Sequence, residues 1–207
     1  GQEIQHPLVT RAIETAQKRV EEHNFGIRKH LLEYDNVMNK QREILYKERL
    51  FVLEADSLKE HIFEMMEDIV SEALNIYANE ESRQTEWDTE GLSNFLSSKF
   101  LISRDAIKQD DINIERDKLR EDLLSSLKDA YNRKEESVGF EIMRGLERII
   151  LLQTIDLKWK DHLYSMDILR EGIGLRAYGQ KDPLVEYQHE GFDMFEDMTY
   201  RIKEEAL

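Results

Sequence analysis

From Leu8 to Leu53 the sequence contains no proline and one glycine, Gly26. Apolar side chains recur through this stretch every three or four residues, which is the spacing of one face of an α-helix. These positions are Val9, Ile13, Ala16, Val20, Ile27, Leu31, Tyr34, Met38 and Leu45. At 1.5 Å per residue, a helix of about 46 residues would extend roughly 70 Å and would need other parts of the protein to pack against. One very long helix is therefore predicted to dominate residues 1–55.

The composition favours helices in the rest of the chain as well. Charged residues make up 35% of the sequence and hydrophobic residues 40%, with only two prolines, a balance typical of long exposed helices rather than of sheets. A two-chain coiled coil is an alternative for the long helix, but polar residues interrupt the apolar repeat that such a structure needs. These are Lys18, His23, His30 and Gln41. We predict an all-α fold with an elongated layout.

The absence of cysteine excludes disulfides, thiolate zinc sites and cysteine nucleophiles, so nothing in the sequence requires an oxidising compartment. The first seven residues lack the pattern of a secretory signal, and no apolar run approaches the length that spans a bilayer. The formal net charge is −15, and most of the excess acid lies in residues 54–137. This negative field disfavours nucleic acid as a partner. A cytoplasmic protein is expected.

A helical bundle is predicted in the acidic middle third, residues 56–137. Ser57 and Glu60 form a capping-box pattern, which places a helix start directly after them. The apolar residues that follow at helical spacing are Leu58, Ile62, Met65, Met66, Ile69, Val70, Ala73, Leu74 and Tyr77. Shorter helical segments are predicted at 91–100 and 115–134, with polar connections between them.

The last third, residues 138–207, is predicted to be an antiparallel pair of long helices. The first helix, from Val138 to about Arg170, would pack through Ile142, Leu146, Ile149, Ile150, Gln153, Leu157, His162, Leu163, Met166 and Leu169. The second, from Pro183 to Glu205, would answer with Tyr187, Phe192, Phe195, Met198, Ile202 and Ala206. Asp182 before Pro183 is a favoured N-cap followed by a favoured first helical residue.

The connection between these two helices is predicted to be an exposed contact loop. Gly172, Gly174 and Gly179 give its backbone freedom and discourage helix. Arg176, Tyr178 and Lys181 would be displayed at its tip, since nothing nearby is apolar enough to bury all three. A tyrosine offers apolar area together with a hydroxyl group, which suits contacts that tolerate many sequences.

Catalytic and metal-binding patterns are missing from the sequence. Gly174 and Gly179 have the glycine spacing of a phosphate-binding loop, but Gln180 precedes Lys181 and Asp182 replaces the hydroxyl residue that would bind magnesium. The six histidines are scattered and form no zinc-ligand pattern. We expect no ATP site, no metal site and no catalytic residues in this stretch.

Two blocks of residues follow a known pattern in the right order. The first block comprises Asn24-Phe25, Ile27-Arg28-Lys29, Leu31-Leu32-Glu33-Tyr34-Asp35, Val37 and Gln41-Arg42. The second comprises Leu152-Gln153-Thr154, Trp159-Lys160, His162-Leu163, Met166-Asp167, Leu169-Arg170, Gly172-Ile173, Leu175-Arg176, Tyr178, Gln180, Asp182-Pro183, Glu186-Tyr187, Phe192 and Met194-Phe195. Together they resemble the long scaffold helix and the two-helix finger of the SecA family of ATP-driven bacterial preprotein translocases. Gly174 and Gly179 depart from the family pattern, in which larger residues are common at these positions.

The resemblance implies a role for each part of the chain. Residues 1–55 would connect a nucleotide-driven motor to the peptide clamp, 56–137 would be the wing beside that clamp, and 138–207 would form the finger. Tyr178, with Arg176, Lys181, Gly174 and Gly179, would contact the translocating polypeptide and the channel. The stretch would couple motor movement to polypeptide transfer and restrain the motor's ATPase activity.

The partners that the resemblance implies are the preprotein, the SecYEG channel, and the nucleotide-binding and preprotein-crosslinking domains, with a homodimer in full-length members. ATP and magnesium would bind in the motor domains, outside this stretch. The location would be the bacterial cytoplasm, with peripheral attachment to the inner membrane through the channel. The alternative function is a free-standing helical adaptor that binds a partner protein through the acidic bundle. A hydrolase using scattered histidines and carboxylates ranks below both.

Overall fold

The computed structural model describes residues 7–80, 83–100, 115–174 and 182–207. These residues form six α-helices and a short 3₁₀ turn at Gln84–Glu86, and the described part of the chain contains no strand. The helices are α1 (Pro7–Glu54), α2 (Lys59–Tyr77), α3 (Thr89–Phe100), α4 (Arg116–Val138), α5 (Phe140–Gly172) and α6 (Pro183–Ala206). The predicted all-α class is confirmed, and so is the very long first helix, which has 48 residues.

The helix boundaries follow local backbone chemistry. Gly139 separates α4 from α5 with a φ of 95°, a left-handed value that strains any residue with a side chain. The predicted capping box at the start of α2 is wrong in detail. Leu58 occupies the N-cap, and the Ser57 hydroxyl accepts a hydrogen bond from the Lys59 N–H at 3.3 Å.

The chain forms two compact units, and the first comprises residues 1–45 and 166–193. Its buried side chains come from the C-terminal part of this α1 segment, the end of α5 and the start of α6. They include Gln41, Leu45, Met166, Ile173 and Tyr187. From Leu8 to Leu32 the residues of α1 are exposed apart from Gly26, which is intermediate, so this part of the helix contributes little to this core.

The second unit comprises residues 46–165 and 194–207. Here α2 packs against α3 and α4. The core combines Ile69, Val70 and Leu74 of α2 with Leu92 and Leu96 of α3. Further buried residues are Val52, Leu119, Leu123, Leu127, Leu151, Ile155, Met198 and Ile202. Each such aliphatic side chain contributes about 1.5–3 kcal/mol through removal from water. All six helices supply buried residues to this unit.

The helices α5 and α6 run antiparallel, as predicted. Lys158 forms an ion pair with Glu205, and the His162 ring lies 5.8 Å from the Phe195 ring. Farther along α5, Met166 lies against Gly191. As residue numbers increase along α5, the numbers of their contact partners on α6 decrease. This is the geometry of an antiparallel helical hairpin.

The predicted packing face of α5 is partly wrong. Ile142, Leu146, Ile149, Ile150 and Leu157 are each between 42% and 60% exposed. The buried face lies beside them on the same helix and consists of Met143, Arg144, Glu147, Leu151, Ile155, Trp159, His162 and Met166. Of the four consecutive apolar residues 149–152, only Leu151 is buried. On α6, Phe192 is 57% exposed and its neighbour Gly191 is buried instead.

Candidate functional site

The predicted contact loop is described at both of its ends. Gly174 is exposed and follows Ile173, which is 3% exposed. Arg176, Tyr178, Gly179 and Lys181 lie outside the described residues, so their role as contact residues stays a prediction. The structure places the end of α5 at Gly172 and the start of α6 at Pro183.

Asp182 caps the start of α6. Its Oδ1 accepts a hydrogen bond from the Leu184 N–H at 2.8 Å, and its carbonyl accepts one from the Glu186 N–H at 3.1 Å. The side-chain bond satisfies one of the backbone donors that a helix start leaves without a partner. The predicted cap is confirmed, and it fixes the point at which the chain leaves the loop.

Arg170, in the last turn of α5, points to α1. Its Nη1 donates to Asp35 Oδ1 at 3.2 Å, and its guanidinium carbon lies 6.0 Å from the centre of the Tyr34 ring. The sequence places Arg170 among the cations near the loop, but the structure pairs this side chain with a carboxylate of α1. The contact joins the end of α5 to the long helix through an ion pair and a cation–π interaction.

Tyr187, one turn into α6, packs against the same place on α1. Its ring centre lies 4.9 Å from that of Tyr34, the two planes are inclined at 58°, and only 1% of Tyr187 is exposed. This tilted geometry is favourable for aromatic pairs. Burial raises the pKa of the Tyr34 hydroxyl, and the charge of Asp182 raises it further. Burial likewise raises the pKa of Tyr187, so both rings stay neutral at physiological pH.

We call Tyr34, Asp35, Arg170 and Tyr187 the finger root. A second set of contacts supports it, one helical turn away on α5 and α6 and nearly two turns away on α1. There Gln41 Nε2 donates to the Gly191 carbonyl oxygen at 2.7 Å, and Gln41 is 6% exposed. A Cβ atom on Gly191 would lie 2.8 Å from Met166 Cε, so the absence of a side chain lets α6 approach Met166 closely.

A separate polar cluster lies in the second unit, around Arg144 of α5. Arg144 Nη2 forms ion pairs with Glu135 and, at 3.0 Å, with Glu147. The same nitrogen donates to the Tyr131 hydroxyl at 2.6 Å, and that hydroxyl donates to Glu147. Arg144 Nη1 donates to Ser57 Oγ at 2.9 Å. The cluster therefore joins α4 and α5 to Ser57, two residues before the start of α2.

Burial dominates the titration behaviour of this cluster. It raises the pKa of Glu147, although the Tyr131 hydrogen bond and the Arg144 charge act in the opposite direction. It also raises the pKa of Tyr131 well above its usual value, and the hydrogen bond to Glu147 adds to this effect. We assign the cluster to holding helices together, since Arg144 reaches Glu135 and Tyr131 of α4 and Ser57 before α2. Two of its buried atoms, Arg144 Nε and Glu147 Oε2, have no hydrogen-bond partner among the described residues.

Histidines and carboxylates are not gathered into a metal site anywhere in the described ranges, where no group of three or more could bind an ion. His162 is a core residue. It lies 5.5 Å from the Trp159 ring, in a stacked arrangement, and burial lowers its pKa. No helix in the described part of the chain is both long enough and apolar enough to span a membrane.

Sequence reasoning missed both polar groupings as units. The apolar spacing predicts Tyr34 and Tyr187 as packing residues and the resemblance includes Asp35, but neither indicates that these residues meet one another. The signal for the Arg144 cluster was present, because Arg144 and Glu147 stand three residues apart between the apolar residues Met143 and Leu151. Charged residues that interrupt a buried face in this way are typical of internal ion pairs.

Comparison with known proteins identifies the family. The family model described as "SecA Wing and Scaffold domain" matches residues 3–207. The chain belongs to the SecA wing and scaffold family. It is 48% identical over 207 residues to "Protein translocase subunit SecA" of Syntrophus aciditrophicus, covering 100% of the chain and 24% of that relative.

Two further relatives support the assignment to the SecA family. The protein of the same name from Alkaliphilus oremlandii is 50% identical over 204 residues, which cover 99% of the chain and 23% of the relative. That from Thermodesulfovibrio yellowstonii is 48% identical over 204 residues, with 99% and 22% covered. The chain thus spans about a quarter of the length of these SecA proteins and corresponds to their wing and scaffold region.

Proposed function

We propose that this chain is the scaffold, wing and finger region of an ATP-driven preprotein translocase, and that its finger tip contacts the polypeptide being moved. The observation that supports this most directly is the finger root. Tyr34 and Asp35 hold both ends of the predicted contact loop, through Tyr187 and Arg170. A loop anchored at both ends on a long helix is suited to transmit a displacement of that helix to whatever the loop touches.

The proposed coupling needs surfaces on which the rest of a longer protein can pack. Exposed apolar residues on one face of α1 provide one in the first unit: Val9, Ile13, Val20, Ile27 and Leu31 recur at helical spacing and are each between 36% and 58% exposed. Large apolar side chains in a row at a surface are typical of an interface. We assign this face to contacts with the nucleotide-binding and preprotein-crosslinking domains, through which the region restrains the motor's ATPase activity.

ATP and magnesium bind, in this proposal, in the remainder of the longer protein. The purified 207-residue chain should show no magnesium-dependent ATP turnover, and robust turnover by it would contradict this part of the proposal. The finger acts at the SecYEG channel, which places the protein in the bacterial cytoplasm with peripheral attachment to the inner membrane. The preprotein is the substrate, and the full-length protein can pair as a homodimer.

A photocrosslinking amino acid at position 178 of the full-length protein tests the proposed contact. We expect it to label an unfolded secretory substrate and the channel during translocation. Position 164 is the matched control, because Tyr164 is also an aromatic residue of the hairpin and is 69% exposed, but it lies on the side of α5. Substrate labelling should be strong from 178 and weak from 164.

Labelling that is confined to this chain's own helices would contradict the finger proposal. It would instead support the alternative function, a helical adaptor in which the hairpin serves only for packing. Equal substrate labelling from positions 178 and 164 would show that the substrate touches the hairpin without preference for its tip, and would also contradict the proposal.

A further inference from the structure

The contacts of the finger root lie very close to the loop. Arg170 stands two residues before the end of α5 at Gly172, and Tyr187 stands four residues after the start of α6 at Pro183. Both contacts are therefore within about one helical turn, or roughly 5.4 Å along the axis, of the loop ends. A change in either contact reaches the loop before it can be absorbed elsewhere in the hairpin.

A single point on α1 makes both contacts. Tyr34 packs on Tyr187 of α6, and its sequence neighbour Asp35 binds Arg170 of α5. Arg170 also faces the Tyr34 ring, so the two contacts are linked. Because adjacent residues on a helix share a rigid backbone, a shift or rotation of α1 at this point displaces both ends of the loop together.

The ion pair of the root is too exposed to serve mainly for stability. The side chains of Arg170 and Asp35 are 40% and 52% exposed, and pairs of this kind contribute little to folding. The geometry of the Arg170–Asp35 pair is nevertheless specific, since the long side chain of Arg170 reaches from the end of α5 to α1. Because this pair adds little stability but sets where the end of α5 lies against α1, we infer that its role is to position the end of α5.

We propose that Tyr34 and Asp35 are positioning residues that fix both ends of the finger loop to α1, so that the loop follows displacements of the long helix. This inference rests on the proposed function for the consequence of the movement, namely transfer of a polypeptide. It adds the residues through which the long helix acts on the loop.

The test uses the full-length translocase with any other cysteines replaced and spin labels at positions 178 and 40, since Lys40 is an exposed residue of α1. Two quantities are measured for each variant: the distribution of distances between the two labels, and the translocation rate. Asp35→Asn and Arg170→Gln should each widen the distribution and slow translocation, with helix content unchanged. The double variant Asp35→Arg/Arg170→Asp swaps the two charges and can re-form the ion pair. Its distance distribution should therefore be narrower than that of either single variant, Asp35→Arg or Arg170→Asp.

Arg49→Gln is the matched control. It breaks the ion pair between Arg49 and Asp156 in the second unit, whose side chains are 39% and 56% exposed, nearly the values of the root pair. It should change neither the distances nor the translocation rate. Tyr34→Leu provides a second variant of the root that keeps apolar bulk but removes the aromatic contacts, and it should also widen the distribution.

An unchanged distance distribution in Asp35→Asn, Arg170→Gln and Tyr34→Leu would overturn the inference, and so would an equal response to Arg49→Gln. Failure of the proposed function gives a different pattern. If position 178 of the parent protein labels no substrate while the distances respond as expected, the polypeptide contact is wrong and the positioning role stands. If position 178 labels the substrate and the distances do not respond, only the positioning role is wrong.

Discussion

His61 joins α1 and α2 in the second unit through a charge-dependent contact. Its Nε2 lies 2.7 Å from Glu48 Oε1, its Nδ1 lies 3.7 Å from Glu64 Oε2, and its ring meets Phe51 edge-on at 5.2 Å. The hydrogen bond to Glu48 raises the pKa of His61, and this effect exceeds the lowering by burial. The folded state therefore holds the proton more tightly than the unfolded state does.

The raised pKa predicts that protonated His61 stabilises the folded state. This stabilisation is fully present below the pKa of His61 in the unfolded chain, about 6.5, and is lost as the pH rises through its higher pKa in the folded state. The size should be at most about 1 kcal/mol, because Glu48 is 41% exposed and solvent screens the pair. The measurement is urea unfolding of the purified chain and of His61→Gln across this pH range. The stability difference between them should shrink with rising pH, and a difference that stays constant would contradict the assignment. Glu48→Gln should remove most of the same dependence.

At the level of single residues, the sequence predicts those roles that depend only on neighbouring residues in the chain. The sequence predicts Asp182 as a cap because the bonds that make it one are local, from the backbone N–H groups of Leu184 and Glu186. Gly191 could not be identified as a packing residue, because its role depends on Met166 lying across the hairpin and a glycine has no side chain to signal burial. The apolar pattern predicts that the neighbouring Phe192 packs in the core instead, but this residue is 57% exposed.

At the level of helices, α5 shows why an apolar pattern identifies a helix more reliably than it identifies the buried face. Two neighbouring faces of α5 are rich in large apolar residues. The buried one also contains Arg144 and Glu147, which an amphipathic pattern treats as exposed. Burial of these charges is tolerable because Tyr131 and Glu135 of α4 compensate them. That compensation comes from another helix, so the sequence of α5 alone could not reveal it.

The Arg144 cluster yields a prediction about how the helices hold together. Arg144→Ala would leave Glu147 buried without its cation, so we expect a loss of about 3–5 kcal/mol in the free energy of unfolding. Arg144→Met combined with Glu147→Leu should lose clearly less, since it removes both charges and fills the space with apolar atoms. Urea unfolding with constant m-values provides the measurement.

A control for this prediction is Arg49→Ala, which removes an arginine from an exposed pair and should cost no more than about 1 kcal/mol. A similar small loss in Arg144→Ala would show that water reaches the cluster and screens it. A double variant that is as unstable as the sum of its single variants would show that the two charges are not coupled.

For the molecule as a whole, the exposed apolar face of α5 is a second surface that the described part of the chain leaves uncovered. Ile142, Leu146, Ile149, Ile150 and Leu157 stand at helical spacing and are each 42–60% exposed. The chain spans about a quarter of the length of its SecA relatives. We therefore expect other parts of the longer protein to cover this face, as apolar patches of this kind usually mark interfaces.

Single cysteines test this expectation, since the 207-residue chain contains none of its own. Ile149→Cys and Leu157→Cys should react rapidly with an alkylating reagent in the isolated chain and at least about tenfold more slowly in the full-length protein, because alkylation requires the thiolate to be accessible. Ile155→Cys, at a position that is 1% exposed, should react slowly in both and serves as the buried control. Equal rates at positions 149 and 157 in the two proteins would mean that this face stays open to solvent in the full-length protein, which would contradict the expectation.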